Sequence, residues 1–213
     1  MRVNTKGMRR LAVALGLAFA VGPALAQQVL QDKLKAIQAD PAALKAAVDA
    51  GQKASFFCAN CHGADGNSKM QEVPNLSGQN PAYLLEQIRK FGAGDRKDQF
   101  MQGLIKVLKD DERIQIALFY AESKVDPSTT DPVQVTKGKD IFTRACVRCH
   151  GAEARGNETI PRLAGQKMTY LQTSITRYRD RTGERRDPLM SSATALLKNE
   201  DILALTHYLA SMR

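Results

Sequence analysis

Tryptophan is absent from this 213-residue chain, and all aromatic residues together make up 6%. A protein that reads single-stranded nucleic acid by stacking bases carries more aromatic platforms than this. Convincing alternation of apolar and polar residues is also missing, which removes the usual signature of β-strands. Histidine is scarce at three copies, and there are four cysteines. The longest apolar run, residues 11–21, covers eleven positions, well short of the roughly 20 needed to span a hydrocarbon core. Hydrophobic residues at 43% and charged residues at 25% are ordinary for a globular chain, so wholesale disorder is excluded.

What is present begins with charge. Lys and Arg number 31 against 22 Asp and Glu, a formal net charge of +9. A surplus of that size invites a nucleic-acid or anionic-membrane partner, so its location decides its meaning. Arg2, Lys6, Arg9 and Arg10 precede the apolar run, and Ala24-Leu25-Ala26 offers small residues for cleavage before Gln27. That three-part form predicts a secretory signal over residues 1–26 and, in a bacterium, a periplasmic product. Removing it lowers the net charge to +5, of which residues 126–213 carry +4. The nucleic-acid reading loses its support, and no transmembrane segment is expected in the mature chain.

The four cysteines of an exported chain would ordinarily be two disulfides. Their spacing argues otherwise. Cys58-Ala59-Asn60-Cys61-His62 and Cys146-Val147-Arg148-Cys149-His150 are both C-x-x-C-H, the attachment signature of c-type haem. Two thiols add to the two vinyl groups of one porphyrin, and the next residue offers its imidazole to the iron. A redox dithiol would be expected near a strand–helix unit, and none is indicated. A zinc site built from both cysteine pairs leaves the two adjacent histidines unexplained. Two covalently attached haem c groups are therefore expected.

The motifs belong to a longer duplication. The segment at 73–79, V-P-N-L-S-G-Q, answers 160–166, I-P-R-L-A-G-Q, and 94–101 answers 183–190. The last helices align with Glu112, Ile114 and Tyr120 against Glu200, Ile202 and Tyr208, which sets His207 opposite Phe119. The polar, proline-containing stretch near 122–134 reads as a linker. This predicts an all-α chain: an N-terminal helical extension at 27–44, a domain at 45–124, a linker at 125–134 and a second domain at 135–213. Residues 27–40 look like an amphipathic helix with Val29, Leu30, Leu34 and Ile37 on its apolar side. A helix is expected over 41–57, and Asn80-Pro81 is expected to open another. Asp110 and Asn199 are candidate N-caps of the last helix in each half.

An axial histidine fills one side of each iron, and the opposite ligand decides function. Among the methionines only Met101 and Met190 obey the repeat; they follow their histidines by 39 and 40 residues. They are the expected sixth ligands, and His207 is expected to have a packing or surface role. Pro74 and Pro161 follow their histidines by 12 and 11 residues. Their carbonyls are candidate acceptors for the second ring nitrogen. An ordinary loop proline fits the sequence as well.

The segments CANCHGADGN at 58–67 and CVRCHGAEARGN at 146–157, with the repeated P-x-L-x-G-Q and D/E-R-x-D-x-x-M blocks, resemble the dihaem cytochrome c4 family. The second loop is two residues longer than the first. The resemblance covers nearly all of the expected mature chain except residues 27–40. It implies two tandem class I cytochrome c domains, pseudo-twofold related, with His/Met ligation and Pro74 and Pro161 bonded to the axial histidines. It also implies periplasmic electron transfer rather than an enzyme.

Redox proteins are the expected partners, with a membrane-bound donor complex and a terminal oxidase foremost. Two other readings are carried forward. One is the cytochrome subunit of a periplasmic dehydrogenase; the other is a peroxidase-like enzyme with one open haem. Arg177, Arg179, Arg181, Arg185 and Arg186 cluster before Met190. They read as a solvated face, as partners for haem propionates, or as a patch that steers an acidic redox protein.

Overall fold

The computed structural model describes residues 23–183 and 187–213. The charged and apolar parts of the expected signal, as well as Arg185 and Arg186, lie outside the described residues. Every regular element among the described residues is an α-helix. The first half holds α1 (Pro23–Ala39), α2 (Pro41–Ala54), the single turn α3 (Ala59–His62), α4 (Pro81–Ala93), α5 (Gln99–Lys106) and α6 (Asp110–Glu122). The second half holds α7 (Pro132–Ala145), α8 (Val147–His150), α9 (Met168–Asp180), α10 (Pro188–Thr194) and α11 (Asn199–Ser211). Helices α7 to α11 repeat α2 to α6 in order, and each half buries its own core. Among the described residues, no helix is long and apolar enough to cross a membrane.

Local chemistry places the helix starts. Asp40 accepts from the backbone N–H of Ala42 and Ala43, and Pro41 takes the first helical position of α2. Asp131 and Pro132 do the same for α7. A proline there gives up an N–H that would have no helical partner anyway. The expected linker at 125–134 is consequently extended only as far as Asp131, and α7 claims its end. The helix expected over 41–57 stops at Ala54, where the chain turns into the first cysteine motif.

Two close crossings organise the halves. Helix α2 packs across α6 at Gly51, where a Cβ would lie 2.1 Å from the Gln115 carbonyl oxygen. Helix α7 packs across α11 at Gly138, where a Cβ would lie 2.1 Å from the Ala204 carbonyl oxygen. Backbone meets backbone at both points, so neither position has room for a side chain.

The structure corrects the repeat register of the last helix. Asp110 and Asn199 are first helical residues, not caps; Lys109 and Lys198 are the N-caps. Glu112 reaches back to the Lys109 N–H at 2.8 Å, and Asp201 reaches the Lys198 N–H at 3.0 Å. Tyr120 therefore corresponds to Leu209, Phe119 to Tyr208 and Leu118 to His207. The last helices thus keep the 89-residue offset of Met101 and Met190, not the 88 of Tyr120 and Tyr208. His207 accepts from the Asp131 N–H at 3.1 Å and ties the end of the linker to α11.

Helix α1 begins at Pro23, four residues before the expected cleavage point, and packs on α2, α4 and α6. Leu34 is fully buried, with Leu30 and Ile37 packed on the same core. Val29, assigned to the apolar side from sequence, is 56% exposed. Covering by α1 explains a difference between the halves. Ile114 on α6 is 1% exposed, whereas Leu203, its counterpart on the uncovered α11, is 39% exposed.

The halves meet along a seam with twofold logic. Gln79 takes the backbone N–H and C=O of Arg162, and Gln166 takes those of Asn75. These are corresponding residues exchanged between the halves, as an isologous contact requires. The linker threads the seam, with Val125 lodged between Gly78 and Gly165. Asn80 opens α4 as the sequence suggests, but its side chain makes no capping bond. It donates instead to the carbonyls of Arg155 and Ile160 across the seam.

Candidate functional site

The two C-x-x-C-H segments fold alike. In each, the first cysteine enters a single helical turn that ends on the histidine. No disulfide joins any of the four cysteines, so neither pair is spent on one. Burial raises the pKa of the Cys58 thiol; burial and the neighbouring Cys149 push Cys146 up to about 11.

His62 and His150 are both buried. His62 Nδ1 lies 2.9 Å from the Pro74 carbonyl, and His150 Nδ1 lies 3.0 Å from the Pro161 carbonyl. A carbonyl only accepts, so each Nδ1 carries the proton and donates. Nε2 is left as the lone-pair nitrogen, the tautomer a metal needs. Burial lowers the pKa of both rings despite these bonds, with Arg96 adding to the effect at His62.

Met101 and Met190 occupy matched positions. Asp98 accepts from the Met101 N–H at 2.9 Å, and Asp187 accepts from the Met190 N–H at 3.0 Å. Each methionine is thus the third residue of a short helix that its own aspartate starts, and each is half-buried. Met70 is exposed in a loop, and Met212 packs on the second core.

The residues fit a covalently held haem. Two thiols share a helical turn with an imidazole whose distal nitrogen is free. In the first half, Tyr120 is fully buried beside Ser55 and Cys58, and its hydroxyl lacks a well-formed hydrogen bond. A buried polar atom without a partner is what a bound group with polar edges would satisfy. The second loop keeps the turn of the first despite its different GAEARGN sequence. Ala154 accepts from Leu163 and Ala164 just as Gly66 accepts from Leu76 and Ser77. From that turn to the proline the second half is one residue shorter, six residues (155–160) against seven (67–73).

The arginine cluster divides. Arg179 pairs with Asp180 at 2.7 Å and donates to the Leu197 carbonyl and to Asn199, so it ties α9 to the start of α11. Arg177 and Arg181 are exposed. Arg181 ends α9 in the left-handed conformation at φ 54°, where Gly94 ends α4. Sequence reasoning missed Arg96, which stacks over Phe91 and reaches the Tyr170 hydroxyl across the seam. It also missed Gln79 and Gln166. Their recurrence in the P-x-L-x-G-Q block was visible, but nothing in the sequence said that they face the opposite half.

A cytochrome c family model matches residues 135–213. Cytochrome c4 of Pseudomonas aeruginosa is 35% identical over 175 residues, covering 76% of this chain and 87% of that protein. A thiosulfate dehydrogenase electron acceptor of Thiomonas intermedia is 33% identical over 68% of this chain and 72% of its own length. The crystal structure of reduced recombinant cytochrome c4 from Pseudomonas stutzeri superposes with a TM-score of 0.71 at 30% identity, covering 78% of this chain and 98% of that one. The chain belongs to the cytochrome c4 family, electron carriers with two tandem cytochrome c domains and covalently bound haem c.

Proposed function

We propose that this protein is a periplasmic carrier that moves single electrons from membrane-bound respiratory donors to a terminal acceptor such as an oxidase. Its haem-bearing units are residues 45–124 and 135–213, joined by 125–134, preceded by the extension at 27–44 and released by cleavage of 1–26. Each bound haem supplies one-electron chemistry at its iron. Cys58 and Cys61 would hold one haem, and Cys146 and Cys149 the other. His62 and His150 would offer Nε2 to the irons, with the Pro74 and Pro161 carbonyls fixing their rings. Met101 and Met190 would supply the second protein ligand to each iron, so that no coordination position would be left for a substrate.

The observation that carries this reading is the repeated histidine–proline-carbonyl bond in both halves, each paired with an aspartate-capped methionine helix. Replacing Met101 or Met190 by Ala should convert one haem of two from low spin to high spin in the visible spectrum. Two unchanged low-spin signals would sink the ligand assignment.

Arg177 and Arg181 are proposed to steer an acidic partner to the second unit. A non-glycine residue held at positive φ costs about 1 kcal/mol. Arg181 keeps its charge there, where the other half uses glycine. The relative named as a thiosulfate dehydrogenase electron acceptor supports a second reading, in which the donor is a periplasmic dehydrogenase. Oxygen uptake by oxidase-bearing membranes separates the two. Stimulation by the reduced protein supports an oxidase as acceptor. Reduction by a purified dehydrogenase without that stimulation supports the second.

A further inference from the structure

The seam does more than join the halves. The Pro74 carbonyl that accepts from His62 and the Asn75 N–H are the two ends of one peptide group. That N–H donates to Gln166 Oε1 of the other half at 2.7 Å. The second half mirrors this. The Pro161 carbonyl accepts from His150, and the Arg162 N–H of the same peptide donates to Gln79 Oε1 at 2.7 Å. Each glutamine also donates to the carbonyl of the residue it brackets, Gln166 to Asn75 at 3.0 Å and Gln79 to Arg162 at 2.9 Å. Both side chains are buried.

Hydrogen bonds in series polarise one another. An acceptor on a peptide N–H pushes electron density toward its carbonyl, which then accepts more strongly from the histidine. A histidine that donates more strongly at Nδ1 is a more basic ligand at Nε2 and favours ferric iron. We infer that Gln166 and Gln79 are crossed positioning residues: each lowers the reduction potential of the haem in the opposite half through a single shared peptide. The two sites thereby sense whether the halves are docked. This inference rests on the axial roles proposed for His62 and His150.

The test uses the full holoprotein and the substitutions Gln166→Met and Gln79→Met, which remove the acceptor and keep the chain length. Spectroelectrochemistry gives both potentials, and NMR contacts assign each to its own C-x-x-C-H segment. Gln166→Met should raise the ferrous-to-ferric ratio of the haem held by Cys58 and Cys61, at fixed applied potential, by roughly two- to threefold. The haem held by Cys146 and Cys149 should stay in place, and Asn75 amide exchange should quicken. Gln79→Met should produce the reverse pattern, with Arg162 exchanging faster. Asn80→Ala removes two other bonds across the seam and should leave both potentials unmoved.

Equal shifts of both haems, a shift of the haem in the glutamine's own half, or no shift in either variant would overturn the inference. Movement of both potentials in Asn80→Ala would do so too, since loosening the seam would then suffice. The ligand assignment fails separately: a His62→Ala protein that keeps two low-spin signals defeats it, whatever the glutamines do.

Discussion

At the scale of single residues, a backbone carbonyl fixes the tautomer of each of the two histidines. The Pro74 and Pro161 carbonyls take the Nδ1 proton and leave Nε2 open. The cysteines and histidines of the candidate site were legible because covalent haem attachment demands one fixed pentapeptide, and the duplication singles out one methionine per half as a candidate ligand. The direction of a side chain was not legible. Arg179 belongs to the basic cluster by sequence, but its bonds to Asp180 and the start of α11 take it out of any steering patch. Arg181 gives a residue-scale prediction with opposing readouts. Arg181→Gly relieves a left-handed backbone and should stabilise the protein by roughly 0.5–1 kcal/mol in thermal unfolding. At low ionic strength it should also slow electron transfer with an acidic redox partner, and added salt should shrink that difference. An unchanged rate would remove Arg181 from the docking patch.

At the scale of elements, the crossing of α2 on α6 and of α7 on α11 is set by two glycines. Gly51→Ala and Gly138→Ala each force a methyl group against a carbonyl oxygen. Each should cost several kcal/mol, seen as a lowered unfolding midpoint for the half that carries it. Helix α1 adds a cover that the second half lacks. Leu34→Ala should cost about 2–5 kcal/mol, because its site is fully enclosed by α1 and the first core. The same change at Leu203, which is partly exposed, should cost less than half as much. Helix existence and order were legible from periodicity and from proline and aspartate at the starts. The exact register of α6 against α11 was not. Aligning tyrosine with tyrosine set Tyr120 against Tyr208, whereas the caps and the glycine crossings pair Tyr120 with Leu209. Identity of side chain is a weaker guide than the backbone bonds that fix where a helix begins.

At the scale of the whole molecule, duplication supplies more than a second cofactor. The P-x-L-x-G-Q block performs three tasks within a few residues. Its proline carbonyl holds the histidine, its glycine leaves room for Val125, and its glutamine grips the other half. The sequence displayed the block twice, but the meaning of the glycine and glutamine appears only when both copies face each other. A contact of this kind leaves no periodicity in either half alone. Both haem sites are proposed to be closed by chain ligands, so that the molecule carries electrons rather than transforms a substrate. The most direct measurement is an optical redox titration of the purified protein, repeated under carbon monoxide. Two low-spin haems are expected in both oxidation states, with potentials and spectra unmoved by the gas. A high-spin component in the resting ferric protein, or rapid binding of one equivalent of carbon monoxide, would contradict it.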